Sequence, residues 1–395
     1  MIIKPSFRIG QVKTYYFATK LAQIAAMRAM GKDVINLGIG SPDLKPPQEI
    51  IDTLQSASAG ESANQYQSYK GVAALRQAFA EWYDRWFGVT LDPEQEILPL
   101  IGSKEGIMHI SMAFLDEGDE VLVPDPGYPA YRMASKLAGA TVRPFDLRAD
   151  TGWRPDLDKL SKQDLSKVKI MWINYPNMPT GAKADLSLFE EIIAFGREHG
   201  ILICHDNPYG FILNEEPISI MQVPGASEVA IELNSLSKCF NMAGWRVGVM
   251  VGQSAYINAV MTFKSNMDSG MYQPIQLAAV KALSLDQSWF DQLNDIYRQR
   301  RDIAWKIMDQ LGCTYDRDSA GLFVWGLVPD SVFDVELWIE TFLQEALVFI
   351  TPGFIFGQNG DRYIRISLCC DQNKLTEAHQ RVATLLEKQM QNVES

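Results

Sequence analysis

Cysteine and histidine are both scarce in this chain of 395 residues, with five of the first and four of the second. Cys204, Cys239, Cys313, Cys369 and Cys370 form no C-x-x-C pair. They are too sparse for a disulfide framework in a chain this long, so they read as reduced thiols. His109, His199, His205 and His379 lack metal-ligand spacing, and no metal is expected. Basic charge is short as well. Lys and Arg number 36 against 48 Asp and Glu, a net charge of −12. That is the wrong sign for a protein whose affinity rests on phosphate contacts, so no nucleic-acid partner is expected. No apolar run is long enough to span a bilayer, and the opening "MIIKPSFRIG" lacks the apolar core of a secretory signal. The expectation is a cytoplasmic protein with no membrane segment. Two phosphate-binding signatures are missing too. The spacing G-x-x-x-x-G-K-[ST] does not occur, and "LGIGSPD" fails G-x-G-x-x-G because Asp43 stands at its last position.

Apolar residues, by contrast, make up 47% of the chain, enough for a large domain and a smaller one. "TYYFATKLAQIAAMRAMG" reads as an amphipathic helix ending at Gly31, and "DVINLGIGSPDLKPP" as a short strand entering a Gly and Pro loop. "GVAALRQAFAEWYDRWFG" puts Val72, Leu75, Phe79, Trp82 and Trp86 on one helical stripe. "EILPLIG", "EVLVPD", "ATVRPFD", "VKIMWINYP", "GILICHDNP" and "EVAIELNSLS" are compact apolar runs, alternating with helical stretches such as "SLFEEIIAFGREHG". This alternation predicts an α/β domain with a mostly parallel sheet sandwiched by helices, over residues 45–284. Beyond 285 the pattern changes to long helices with "GLFVWGLV", "LVFITPG" and "RYIRISLCC". Residues 1–44 and 285–395 are expected to form a smaller α+β domain.

Parallel sheets bind ligands beyond the carboxyl ends of their strands, so the polar residues there carry the functional reading. Gly102-Ser103-Lys104 follows "EILPLI" and opens a helix, a turn that can present N–H groups to an anion. Tyr128 follows "EVLVPD" at a proline-bounded turn, suited to stacking on a flat ring or to ordinary rim packing. Asp206 ends "ILICHD", and a carboxylate at a buried strand end needs a cation to face. Ser235, Ser237 and Lys238 follow "EVAIELN", with Arg246 eight positions beyond the lysine. An anion cradle, a stacking ring, a carboxylate for a ring cation and a lysine able to form a Schiff base suggest one ligand, pyridoxal 5′-phosphate.

At these residues the sequence resembles the fold-type I, pyridoxal-phosphate-dependent class I/II aminotransferases. "SLSKCFNMAGWR" and "DNPY" are the specific parts. "YYFATKLAQI", "GSKEGI", "DPGYPAY" and "NYPNMPTGA" look most like the LL-diaminopimelate and related aspartate-type branches. The resemblance implies that Lys238 anchors the cofactor and shuttles the Cα proton. Asp206 would keep the ring nitrogen protonated and Tyr209 would donate to its phenolic oxygen. Ser235, Arg246, Ser103 and Lys104 would hold the phosphate, and Tyr128 would cover the ring. Arg365 would grip the substrate α-carboxylate, with Gly40 approaching the same group. Tyr15 would face the substrate, although a core-packing tyrosine fits it equally. Tyr66 would reach the phosphate of a neighbouring subunit, which implies a homodimer with shared active sites.

One position departs from the pattern. Where the family reads N-P-T-G, this chain has "NMPTG", and Met178 takes the place of the asparagine that donates to the phenolic oxygen. A thioether cannot donate. The loss of one neutral donor is worth about 0.5–1.5 kcal/mol, so Met178 is expected at the cofactor's edge with cofactor binding intact. Asn177 turning in to substitute is the alternative. The resemblance implies transfer of an amino group between an L-amino acid, diaminopimelate-like or dicarboxylic, and a 2-oxo acid in ping-pong half-reactions. A pyridoxal-phosphate C–S lyase would use nearly the same residues. A non-catalytic cofactor-binding regulator is the third reading.

Overall fold

The computed structural model describes residues 3–12 and 16–394. Its strands, in chain order, are β1 (Ile35–Asn36), β2 (Ile97–Leu100), β3 (Glu120–Asp125), β4 (Thr141–Asp146), β5 (Val168–Ile173), β6 (Leu202–Asp206) and β7 (Ala230–Ser235). They continue with β8 (Gly248–Gly252), β9 (Thr314–Tyr315), β10 (Phe323–Leu327), β11 (Val348–Phe349), β12 (Thr351–Pro352) and β13 (Tyr363–Ser367). A seven-stranded sheet runs in the order β2-β8-β7-β6-β5-β3-β4. Its pairings are parallel from β7 across to β4, and β8 alone runs against its neighbours β2 and β7.

The central strands read as unbroken apolar runs because helices cover both faces. Along β5, Ile170 and Trp172 enter one core with Leu100, Ile107 and Tyr131, while Met171 and Ile173 enter the other with Phe79, Trp82 and Phe189. The stripe Leu75, Phe79 and Trp82 of the helix Ala73–Phe87 is buried in that second core. Gly88, at φ 63°, ends that helix. β4 is an edge strand, which tolerates its Pro144 because no further ladder follows. β8, "GVMVG", is absent from the sequence-based strands. Three apolar residues between glycines offer no periodicity to separate a strand from a loop.

β12-β13-β10-β9 form a second, antiparallel sheet, and β1 pairs in parallel with β11. The N-terminal strand thus packs beside the C-terminal third of the chain. No helix among the described residues is long and apolar enough to cross a membrane.

Candidate active site

The carboxyl ends of the parallel strands meet at a cavity of about 560 Å³. Asp206 and Ser235, the last residues of β6 and β7, and Asn174, the residue after β5, border it. Asp206 closes β6 and is 3% exposed. Its Oδ2 accepts from the Tyr131 hydroxyl at 2.8 Å, while Oδ1 has no hydrogen-bond partner. Tyr131 is itself held by stacking on Trp172 at 5.0 Å. Burial pushes the Asp206 carboxyl up to about 6, opposed by the Tyr131 hydrogen bond and by His205 and Lys238. An orphaned carboxylate oxygen in such a place calls for a cationic donor.

Lys238 lies in the short helix Leu236–Cys239, which Ser235 caps by accepting from the Ser237 N–H. The Lys238 Nζ donates to the Gly40 carbonyl at 2.5 Å. Burial holds its amine below the usual lysine range, and Arg365 and Arg246 push the same way. A depressed amine is a better nucleophile and base near neutrality.

Ser103 opens the helix Ser103–Phe114, and behind it Gly102 sits at φ 83°. A Cβ there would lie 2.0 Å from Arg246 Nη2, so only glycine lets the guanidinium reach this turn. Arg246 itself has φ 59°, the left-handed region, and donates to the Ala243 carbonyl and the Ser237 hydroxyl. Backbone strain of this kind collects at functional sites. The turn, the helix N-terminus and the arginine form an anion cradle on one side of the cavity, with Asp206 on its lining as well. An unpartnered buried carboxylate oxygen, a buried lysine and an anion cradle in one cavity fit pyridoxal 5′-phosphate.

Arg365, on β13, is 3% exposed and borders the same cavity. Its Nη2 donates to the Gly38 carbonyl at 2.7 Å and its Nη1 to the Met178 sulfur at 3.1 Å. Phenyl rings of Phe323, Phe356 and Phe17 surround its guanidinium carbon at 3.8, 4.6 and 5.6 Å. Gly40 touches Phe323, where a Cβ would come within 2.3 Å of the ring.

The cavity thus gathers Gly40, Ser103, Lys104, Tyr128, Met178, Asp206, Tyr209, Ser235, Lys238, Arg246 and Arg365 from among the residues selected on sequence. Two are not gathered. Tyr66 is 91% exposed and lies off this chain's own cavity. Tyr15 falls outside the described residues. Asn177 does not border the cavity; its Oδ1 accepts from the Thr180 hydroxyl at 2.8 Å, while its buried Nδ2 has no hydrogen-bond partner. Asn174, overlooked in the sequence, does border it. Its amide is already engaged, donating to the Asp206 carbonyl and accepting from the Met178 N–H.

Tyr131 and His205 were also overlooked as site residues. His205, beside Asp206 on β6 but on the other face, is fully buried. Its Nε2 meets the Tyr175 carbonyl at 3.0 Å and its Nδ1 meets Glu232 at 2.8 Å. Glu232 is clasped further by Tyr83, Ser219 and the Ile220 N–H. A carbonyl only accepts, so His205 Nε2 carries a hydrogen. The network ties the ends of β5, β6 and β7 behind the site. Strand alternation in "ICHD" placed His205 opposite Asp206, but nothing local pointed to Glu232.

A sequence model of the family described as aminotransferase class I and II matches residues 32–382. The LL-diaminopimelate aminotransferase of Dehalococcoides mccartyi is 42% identical, covering 96% of this chain and 98% of that protein. The protein of the same name from Desulforudis audaxviator is 43% identical, over 95% and 96%. Among solved structures, substrate-bound BacF from Bacillus subtilis superposes with a TM-score of 0.93 at 35% identity over 98% of both chains. An aspartate aminotransferase mutant from Thermus thermophilus gives 0.89 at 26% identity, over 97% and 99%.

Proposed function

Because the chain belongs to the class I and II aminotransferase family, a pyridoxal-phosphate-dependent family of fold type I, we propose that Lys238 is the covalent anchor and proton carrier of its transamination. The reaction moves an amino group from an L-α-amino acid to a 2-oxo acid in two half-reactions. The observation that supports this most is the meeting of Lys238, Asp206 and Arg365 around one cavity.

When bound, pyridoxal phosphate supplies an electron sink that acidifies the substrate Cα–H. The unpartnered Asp206 Oδ1 would hold a proton on the ring nitrogen. Tyr131 fixes the other oxygen, so the carboxylate cannot turn away. Ser103, Lys104, Ser235 and Arg246 would hold the phosphate, Tyr128 would cover the ring, and Tyr209 would donate to the phenolic oxygen. Met178, which lines the cavity, would offer that edge no donor. Arg365 takes the α-carboxylate in two-pronged fashion and orients the Cα–H. The Lys238 amine, whose pKa burial and the neighbouring arginines lower, would take that proton and carry it during the transfer.

Relatives carry the name LL-diaminopimelate aminotransferase, so LL-diaminopimelate is the first donor to assay. The exposed Tyr66 supports a homodimer in which this side chain serves the partner's phosphate. Five unpaired cysteines accord with a cytoplasmic enzyme.

The test is the absorbance of the purified protein with pyridoxal phosphate, before and after single amino acids. The wild type should lose its lysine-linked band to a donor and regain it with a 2-oxo acid. Lys238→Ala should bind the cofactor without the linked band and lose transamination. Normal turnover by that variant would end the assignment. Light scattering on the same sample should give about twice the 44.4 kDa chain mass; an active monomer would remove the role given to Tyr66.

A further inference from the structure

We infer that Glu105, His109 and Asp268 form a seat for one divalent transition-metal ion of the zinc class, outside the cofactor cavity but on the helix that opens at its anion cradle. Glu105 and His109 stand four apart on the helix Ser103–Phe114, so both side chains leave it on one face. The fold brings Asp268 to them from the segment after the helix Ser254–Lys264. One ligand atom from each of the three lies within 4.8 Å of the others. None of the three borders the cofactor cavity. Histidine spacing alone predicts no metal, because the third group is supplied only by the tertiary structure.

The observation that points to a ligand is His109. It is 1% exposed, yet neither ring nitrogen has a hydrogen-bond partner. Its Nε2 lies 3.1 Å from Glu105 Oε1 without the alignment of a hydrogen bond. The Phe263 ring, packed against the imidazole at 5.2 Å, offers it no polar atom. A buried imidazole in this state has given up water without recompense. A cation among the three groups satisfies the ring nitrogen and the carboxylates together.

Charge points the same way. Glu105 and Asp268 bring two carboxylates whose side chains are 11% and 10% exposed, which leaves an entry path from solvent. Lys264 answers only one of them, through its contact with Asp268. Against the cost of burial, that ammonium and the Gly270 N–H hold the Asp268 carboxyl below its usual value and keep it ionised. Glu105 Oε2 accepts from the Ile101 N–H, which leaves Oε1 on the side of His109. One imidazole nitrogen with two carboxylates suits zinc better than magnesium or calcium, which take oxygen ligands. Through the Ile101 bond the ion braces the turn at Gly102 and Ser103, and with it the phosphate end of the cavity. The inference does not depend on the aminotransferase reading.

The test uses untagged, pyridoxal-phosphate-loaded protein, freed of metal by chelator and dialysed against micromolar zinc. Elemental analysis should find one zinc per chain. A crystal measured at the zinc absorption edge should show an anomalous peak among Glu105, His109 and Asp268. His109→Gln and Asp268→Asn should each weaken zinc binding at least about tenfold, the scale on which even outer-shell changes weaken metal sites. His379→Gln, on the C-terminal helix Gln372–Glu394, should leave binding unchanged. Undiminished binding in either folded variant, a peak only elsewhere, which would mark an adventitious ion, or no zinc at all would overturn the site. The anomalous map decides even where a variant fails to fold.

Discussion

On the sheet side of the cavity, Asp206 and Ser235 are the last residues of β6 and β7, and Lys238 lies in the short helix that follows β7. On the opposite side, Phe17, Ile39, Phe323, Phe356 and Arg365 come from segments at the two ends of the chain, far apart in sequence. The first side is held by strand register and by hydrogen bonds such as Tyr131 to Asp206. The second is held by packing, with the Arg365 guanidinium wrapped in aromatic rings and bonded to the Gly38 carbonyl and a thioether. Hydrogen-bonded groups tolerate small displacement poorly, while rings and alkyl groups can slide. The sheet side is therefore suited to the chemistry that must not vary, and the packed side to the part of the substrate that does.

Breaking the sheet side should have the largest effect. Asp206→Asn keeps the size of the side chain but removes the anion opposite the ring nitrogen, and kcat should fall about 10²–10³-fold. A fall of less than tenfold would mean that another group holds that proton. The same variant separates charge from shape by pH. The raised Asp206 pKa of about 6 means that the folded protein holds this proton more tightly than the unfolded chain. Its stabilising contribution is thus present below the ordinary carboxyl value and lost as pH rises through about 6. Melting of the cofactor-free protein should show this loss between about pH 4 and 6, and Asp206→Asn should flatten it. An equal slope in both proteins would deny the raised value.

On the packed side, Arg365→Lys retains the charge and loses the planar fork. Charge-assisted hydrogen bonds contribute about 1.5–3 kcal/mol, so kcat/KM should drop about 10–100-fold with every donor. A loss confined to one donor would move Arg365 from α-carboxylate recognition to arm selection and so redraw the boundary between the two sides.

The smallest effect lies where the sides touch. Met178→Asn restores a donor beside the cofactor and replaces the sulfur that meets Arg365. One neutral hydrogen bond of about 0.5–1.5 kcal/mol corresponds to roughly half to one pH unit. The protonation midpoint of the bound cofactor's absorbance should fall by that much in a spectrophotometric titration. An unmoved midpoint would place Met178 away from the phenolic oxygen.

How far the site could be read in advance follows the same division. Asp206 was legible because a strand end is a local event, an apolar run closed by a polar residue, and Lys238 and Arg246 because they stand eight residues apart in one short block after such an end. Tyr131 and Asn174 were not singled out, although both sit in quoted stretches. Their roles come from hydrogen bonds to Asp206, which belongs to another strand. His205 and Glu232 escaped because a cross-strand pair has no spacing of its own, and β8 because a short glycine-bounded run has no period.

The sequence by itself determined the α/β alternation, the chemistry at each strand end and the replacement of the amide by Met178, since each is encoded within a few neighbouring residues. Only the tertiary structure decided that Phe17, Phe323 and Phe356 close on Arg365, that Tyr131 holds one oxygen of Asp206 and leaves the other open, and that Asn177 lies outside the cavity lining. Those outcomes depend on register and packing between distant segments, where burial and steric fit act on residues that no local pattern connects.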